Sequence, residues 1–208
     1  MRSTRCYWYL NINLGCPSSL PILLKHLNPE FESAVEVRET CELAIAKIHY
    51  DLERENNPTG GYESIDPAPP LSEQTSTFEL GELLMNESLP LFNRYRAMFS
   101  LRNIGTEESV LQLAKGFESS SALFRHEIAY VFGQMQHLAS VPSLIKTLKN
   151  INEVDMVRHE CAEALGSIGT SECFEVLDLF KGDQDVVQES CTVGLDILDW
   201  ENSNTLED

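Results

Sequence analysis

The feature that most constrains this chain is that it repeats itself. Segments 37–48 (VRETCELAIAKI), 124–135 (FRHEIAYVFGQM), 157–168 (VRHECAEALGSI) and 187–198 (VQESCTVGLDIL) superpose without gaps, and 93–104 (NRYRAMFSLRNI) joins them. The register is marked at Arg38, Arg94, Arg125, Arg158 and Gln188, so the last three steps are 31, 33 and 30 residues. A period of that size is the signature of a stacked array of supersecondary units. Inside the copies, Ala129, Phe132 and Met135, and likewise Ala162, Leu165 and Ile168, recur at helical spacing and mark a buried face. A second amphipathic segment follows, at 140–150 and at 171–181, with Pro142 near the start of the first and Gly182 just past the second. Two antiparallel helices per unit predict an all-α fold, an α-solenoid in which each repeat buries its apolar face against its neighbours.

The long first step, from Arg38 to Arg94, contains the one stretch that reads as a linker, residues 56–77, rich in Pro, Gly and Ser and without apolar periodicity. It divides the chain into an opening segment 1–14 that matches no repeat, a remnant of a first repeat half at 15–55, the linker, a second repeat half at 78–200 and a disordered tail at 201–208. A chain of 208 residues has room for such a short array and no more. Its formal charge of -18 argues against nucleic acid as a partner and reads as a device for solubility or as a surface that attracts a basic ligand or protein. Cys6, Cys16, Cys41, Cys161, Cys173 and Cys191 have no paired short spacing, which points to a reducing compartment rather than a disulfide framework. With no apolar run of membrane length and no signal peptide read at the start, a cytosolic (cytoplasmic) protein with no membrane partner is expected.

Two repeats differ from the rest at one place. His126-Glu127 and His159-Glu160 stand where the neighbours have Tyr95-Arg96 and Glu189-Ser190. Equivalent helices of adjacent repeats lie roughly 8–10 Å apart, so the shared register puts both imidazoles on one edge. Adjacent residues on a helix point about 100° apart, which lets one carboxylate join the imidazoles while the other faces along the groove. Two imidazoles and a carboxylate with open positions suit non-haem Fe(II), and no thiolate shares the register, so iron is preferred over zinc. A single His-Glu dipeptide reads as solvated helix surface; two in identical register do not. His26, His49 and His137 fall outside that register and read as ordinary surface or core histidines, and Gly60-Gly61 lacks the Lys of a phosphate loop.

The strings FRHEIAYVFGQMQ (124–136), MVRHECAEALGSIG (156–169), YESIDPAPP (62–70) and ESLPLFNRYRAMFSLRN (87–103) resemble those of the deoxyhypusine hydroxylases, and the resemblance runs from about Gly15 to Leu198. It implies HEAT-type helical hairpins in two halves joined by a linker, each half supplying two His-Glu pairs. It also implies a di-iron monooxygenase that hydroxylates deoxyhypusine on translation factor 5A. Carried onto matching positions, it makes His126, His159 and Glu160 the ligands of one iron, and Glu127 the catalytic-site carboxylate that binds the substrate amine. Tyr62 to Pro70 would contact substrate or stiffen the join between halves.

One departure from the family pattern shapes the remaining expectations. Placing the His159 repeat on the start of the chain, with Gly169 on Gly15, sets Arg5 and Cys6 where His159 and Glu160 stand. One iron site is therefore expected, in a fragment, alternatively started or misassembled product that is inactive alone or active only through self-association. Two other classes fit the residues less fully: a non-catalytic groove gripping a basic protein partner, and a mononuclear zinc hydrolase, for which no separate base or nucleophile stands out.

Overall fold

The computed structural model describes residues 16–56, 66–71, 75–182 and 185–204. The unmatched segment expected at 1–14, linker positions 57–65 and 72–74, which include Tyr62, and residues 205–208 of the expected tail lie outside that description. Among the described residues there are ten α-helices: α1 Leu20–Leu27, α2 Val35–Asn56, α3 Thr77–Met85, α4 Leu91–Ile104, α5 Glu107–Ala114, α6 Ala122–Met135, α7 Val141–Lys149, α8 Asp155–Ile168, α9 Ser171–Phe180 and α10 Asp185–Asn204. Short 3-10 turns occupy Pro17–Ser19, Lys115–Glu118 and Leu138–Ser140, and no strand occurs among the described residues. The all-α class predicted from the repeats is the observed one.

Helix ends follow local chemistry. Thr106, Ser121 and Thr170 cap α5, α6 and α9 by accepting hydrogen bonds from the backbone N–H of Ser109, Phe124 and Cys173. Pro142 sits in the first turn of α7, where its missing N–H costs nothing. Gly169 closes α8 at a φ of 75°; Gln136 does the same for α6 at 48° and holds that unusual backbone by donating from Nε2 to the Ser167 carbonyl at 2.7 Å. The chain expected to be a loose tail from 201 instead continues α10 to Asn204, since nothing between Leu198 and Asn204 is a Gly or Pro that would stop a helix.

The recurring arginine proves to be a clamp. Arg38 donates from Nη1 to the carbonyls of Glu32 and Ser33 at 2.7 and 2.9 Å, and Arg94 from Nε to Leu84 at 2.8 Å. Arg125 reaches Ser119 at 2.7 Å and Arg158 reaches Leu148 at 3.0 Å. Arg94, Arg125 and Arg158 each satisfy a carbonyl at the end of the preceding helical segment, and Arg38 satisfies two carbonyls of the turn just before α2, with charge-assisted bonds. In α10 the register residue is Gln188, which is exposed.

The chain divides into two compact units, residues 1–75 with 82–100 and residues 76–81 with 101–208. In the first, α1 and α2 pack through Leu23, Cys41, Ala44 and Ile48. Tyr50 of α2 lies 5.9 Å from the Phe92 ring of α4, and Leu91 N–H donates to Glu42 at 3.4 Å. Residues 66–71 of the expected linker are packed chain rather than a free tether: Ala68 and Pro69 are buried, Arg96 donates to the carbonyls of Pro69 and Pro70 at 3.0 and 3.2 Å, and Leu71 N–H to Ser100 Oγ at 2.7 Å.

In the second unit α6, α8 and α10 line up side by side, with α7 and α9 packed against them. Phe124, Ile128, Ala129 and Phe132 of α6 and Val157, Cys161, Ala162 and Leu165 of α8 are fully buried. Burying one large apolar side chain contributes about 1.5–3 kcal/mol, so packing rather than helix propensity holds these short helices. Met135 and Ile168, expected on the same buried face, lie at the helix ends and are half-buried. The helices approach closely because small residues meet. A Cβ added to Gly133 would lie 3.4 Å from Ala164 Cα, and one added to Gly166 would lie 2.5 Å from Gly194 Cα. Ala164 and Gly194 are the same repeat position, so both junctions use one device.

Candidate metal centre

The clamp and the close approach together fix where the His-Glu pairs stand. Arg125 and Arg158 pin the first turns of α6 and α8, one residue before each histidine. Arg125 also forms a two-pronged ion pair with Glu153, at 2.9 and 2.6 Å, which ties α6 to the loop that leads into α8. Parallel helices held in register bring the rings of His126 and His159 to 5.5 Å between centroids. Glu160 Oε2 lies 3.1 Å from His126 Nε2. One ligand atom each from His126, His159 and Glu160 falls within a sphere of mutual distances no greater than 4.8 Å.

That set fits a first-row transition ion. Donors about 2.0–2.2 Å from one ion stand about 3.0–3.5 Å apart in tetrahedral or facial geometry, so side-chain rotations of somewhat over about 1 Å close the set. His126 Nδ1 is buried and without a hydrogen-bond partner among the described residues, a polar atom left over in a site whose other nitrogen already faces a carboxylate. Two imidazoles and one carboxylate match the donor preference of Fe(II). Cys161, next to Glu160, points elsewhere in chemical terms: it is fully buried, burial pushes its thiol well up, and it stays a packed thiol.

Burial pulls the His126 imidazole down, but the hydrogen bond and charge of Glu160, with the further negative charge of Glu127 and Glu163, outweigh it and leave the group above its ordinary value. Glu127, one residue after His126 on α6, is buried at 6% exposure and stands outside the three-residue set. Of the four residues singled out in the sequence, three come together and the fourth lies beside them. The other histidines do other things: His137 Nδ1 accepts from Ala139 N–H at 3.2 Å, His26 lies 3.7 Å from Glu32, and His49 is exposed.

Two neighbours went unnoticed in the sequence. Glu163 Oε1 lies 3.4 Å from His159 Nδ1, and the same oxygen accepts a 3.1 Å hydrogen bond from Ser190 Oγ of α10. The hydrogen bond with His159, followed by the one from Ser190 and the charges of both histidines, outweighs partial burial and holds the Glu163 carboxyl below the usual range. The i,i+4 spacing of His159 and Glu163 was the available signal.

Known proteins resemble this chain. A model of the PBS lyase HEAT-like repeat matches residues 94–119 and 157–178. Deoxyhypusine hydroxylases of Candida albicans, Danio rerio and Homo sapiens are 53%, 48% and 45% identical, each over 93% of this chain and over 63%, 64% and 64% of their own length. The structure of human deoxyhypusine hydroxylase in complex with glycerol superposes with a TM-score of 0.81 at 47% identity, covering 89% of this chain and 64% of that one. The chain thus spans somewhat under two thirds of the relatives it matches.

Proposed function

This chain is similar along nearly all of its length to the deoxyhypusine hydroxylases, and from that premise we propose that it serves in the iron-dependent hydroxylation of deoxyhypusine carried on translation factor 5A. The observation that carries the reading is the convergence of His126, His159 and Glu160, from equivalent positions of neighbouring helices, on one point. These three residues would hold Fe(II). Bound iron supplies activation of dioxygen, one atom of which enters a substrate C–H bond while the other leaves as water with two electrons and two protons from outside.

The protein's own part is placement and charge. The His126–Glu160 hydrogen bond keeps two of the donors facing each other, so little ordering remains when the ion arrives. Glu127, buried beside them on α6, offers a carboxylate that would bind the cationic amine of the substrate through a charge-assisted hydrogen bond. The formal charge of -18 favours approach of a basic protein. Cys16, Cys41, Cys161 and Cys173 are free thiols, which suits the cytosol, and no helix among the described residues is long and apolar enough to cross a membrane. The family's second iron needs a second ligand set. Among the described residues there is one such group, and a second copy of the chain across a two-fold axis would supply another.

Glu127→Gln separates the roles of the two carboxylates. Iron content should stay at the parent level while affinity for the deoxyhypusine-bearing factor falls at least about tenfold, the scale of one lost charge-assisted bond. Loss of iron in this variant would make Glu127 a ligand and defeat the assignment.

A further inference from the structure

Resting on the metal reading above, the geometry points to Glu163 as a positioning residue. We infer that it accepts the hydrogen bond from His159 Nδ1–H and thereby leaves Nε2 as the nitrogen that meets the metal, with Ser190 holding Glu163 in place. An ionised carboxylate has no proton to give, so a ring nitrogen in contact with it must be the donor. The 3.4 Å approach of Glu163 Oε1 to His159 Nδ1 therefore selects one tautomer, and the 3.1 Å hydrogen bond from Ser190 restricts the rotation of Glu163. Partners of this kind orient metal-binding histidines.

The repeat itself shows that the arrangement is local. The position of Glu163 is Tyr130 in α6, which is 46% exposed, and His126 Nδ1 has no partner among the described residues. Ser190 occupies the register position that carries Glu127 in α6 and Glu160 in α8. The helix following the two His-Glu pairs thus contributes a hydroxyl to the site from the very position where its predecessors contribute carboxylates.

The test uses the whole 208-residue chain. Nitrogen NMR of histidine-labelled, metal-free protein should show the Nδ1–H tautomer at His159, shifting toward Nε2–H in Glu163→Ala. Anaerobic titration with Co(II) alone should show affinity weakened about 10–100-fold in Glu163→Ala, the scale of lost outer partners, mostly restored in Glu163→Gln and reduced less in Ser190→Ala. The Glu163 side chain is 46% exposed, so the variants should fold, which circular dichroism checks. An unchanged tautomer and cobalt affinity in a folded Glu163→Ala overturns the positioning role alone. A parent chain that binds no cobalt overturns the metal reading and this inference with it.

Discussion

The residue pair that follows the repeat arginine is Tyr95-Arg96 in α4 and His-Glu in α6 and α8, and the surroundings differ as much as the side chains do. Tyr95 is 1% exposed with its ring 6.1 Å from Phe99, while Arg96 binds the Pro69 and Pro70 carbonyls and stacks over Tyr50 at 5.3 Å. In α4 that register position is used up in holding residues 66–71 and α2. In α6 and α8 the same position keeps the imidazoles partly open, at 16% and 23% side-chain exposure, and turns their nitrogens toward carboxylates instead of backbone. One helical frame therefore serves structure or chemistry according to what the adjacent chain brings to it.

Substitutions can break this comparison at either end. His159→Ala has the largest expected effect: it removes one of three donors from a site that has few to spare, and iron content should fall from about one per chain to near zero with the fold intact. Metal analysis alongside circular dichroism checks it. Retention of stoichiometric iron would mean that the metal sits elsewhere.

Gly166→Val tests the close approach that brings the pairs together. Its Cβ would meet Gly194 Cα at 2.5 Å, backbone that cannot swing aside, so the change should destabilise the chain by about 1–3 kcal/mol, read as a lower midpoint in urea, and should loosen iron binding through the shifted helices. Gly133→Ala, where the nearest atom is at 3.4 Å, should be tolerated. Helix propensity favours both replacements over glycine, so equal destabilisation by both would show that the closer backbone contact at Gly166 does not set the cost.

The smallest effect on the site is expected from Arg96→Ala. Stability should fall by about 1–3 kcal/mol through the lost carbonyl bonds and stacking, while iron content stays unchanged. Iron loss in this variant would erase the distinction between α4 and its successors.

Much of this was readable from the sequence because a repeat exposes its own exceptions. Helices α4, α6, α8 and α10 follow from the aligned segments, and two His-Glu pairs in one register point to a candidate metal site, for which the family resemblance singles out Glu160 as the carboxylate. What stayed hidden depended on contacts that no period encodes. The Pro-rich stretch reads as a tether because it lacks apolar periodicity, yet Arg96 binds its carbonyls, which every residue has whatever its side chain. The repeat arginine was visible as a mark of register, but its purpose, tying down carbonyls of the chain that precedes its helix, appears only once the backbone is folded. Ser190 reaches the site from the next repeat, where nothing in its own neighbourhood announces a ligand. Gly166 and Gly194, 28 residues apart, became partners only through the stacking of α8 on α10.

The central claim is that same-register His-Glu pairs of adjacent helices make one metal site from two imidazoles and one carboxylate. X-ray absorption of the Fe(II)-loaded chain reads that donor set directly. Nitrogen and oxygen scatterers alone at about 2.0–2.2 Å, with the outer-shell pattern of two imidazoles, are the predicted result. A sulfur scatterer near about 2.3 Å, or the pattern of a single imidazole, would contradict it.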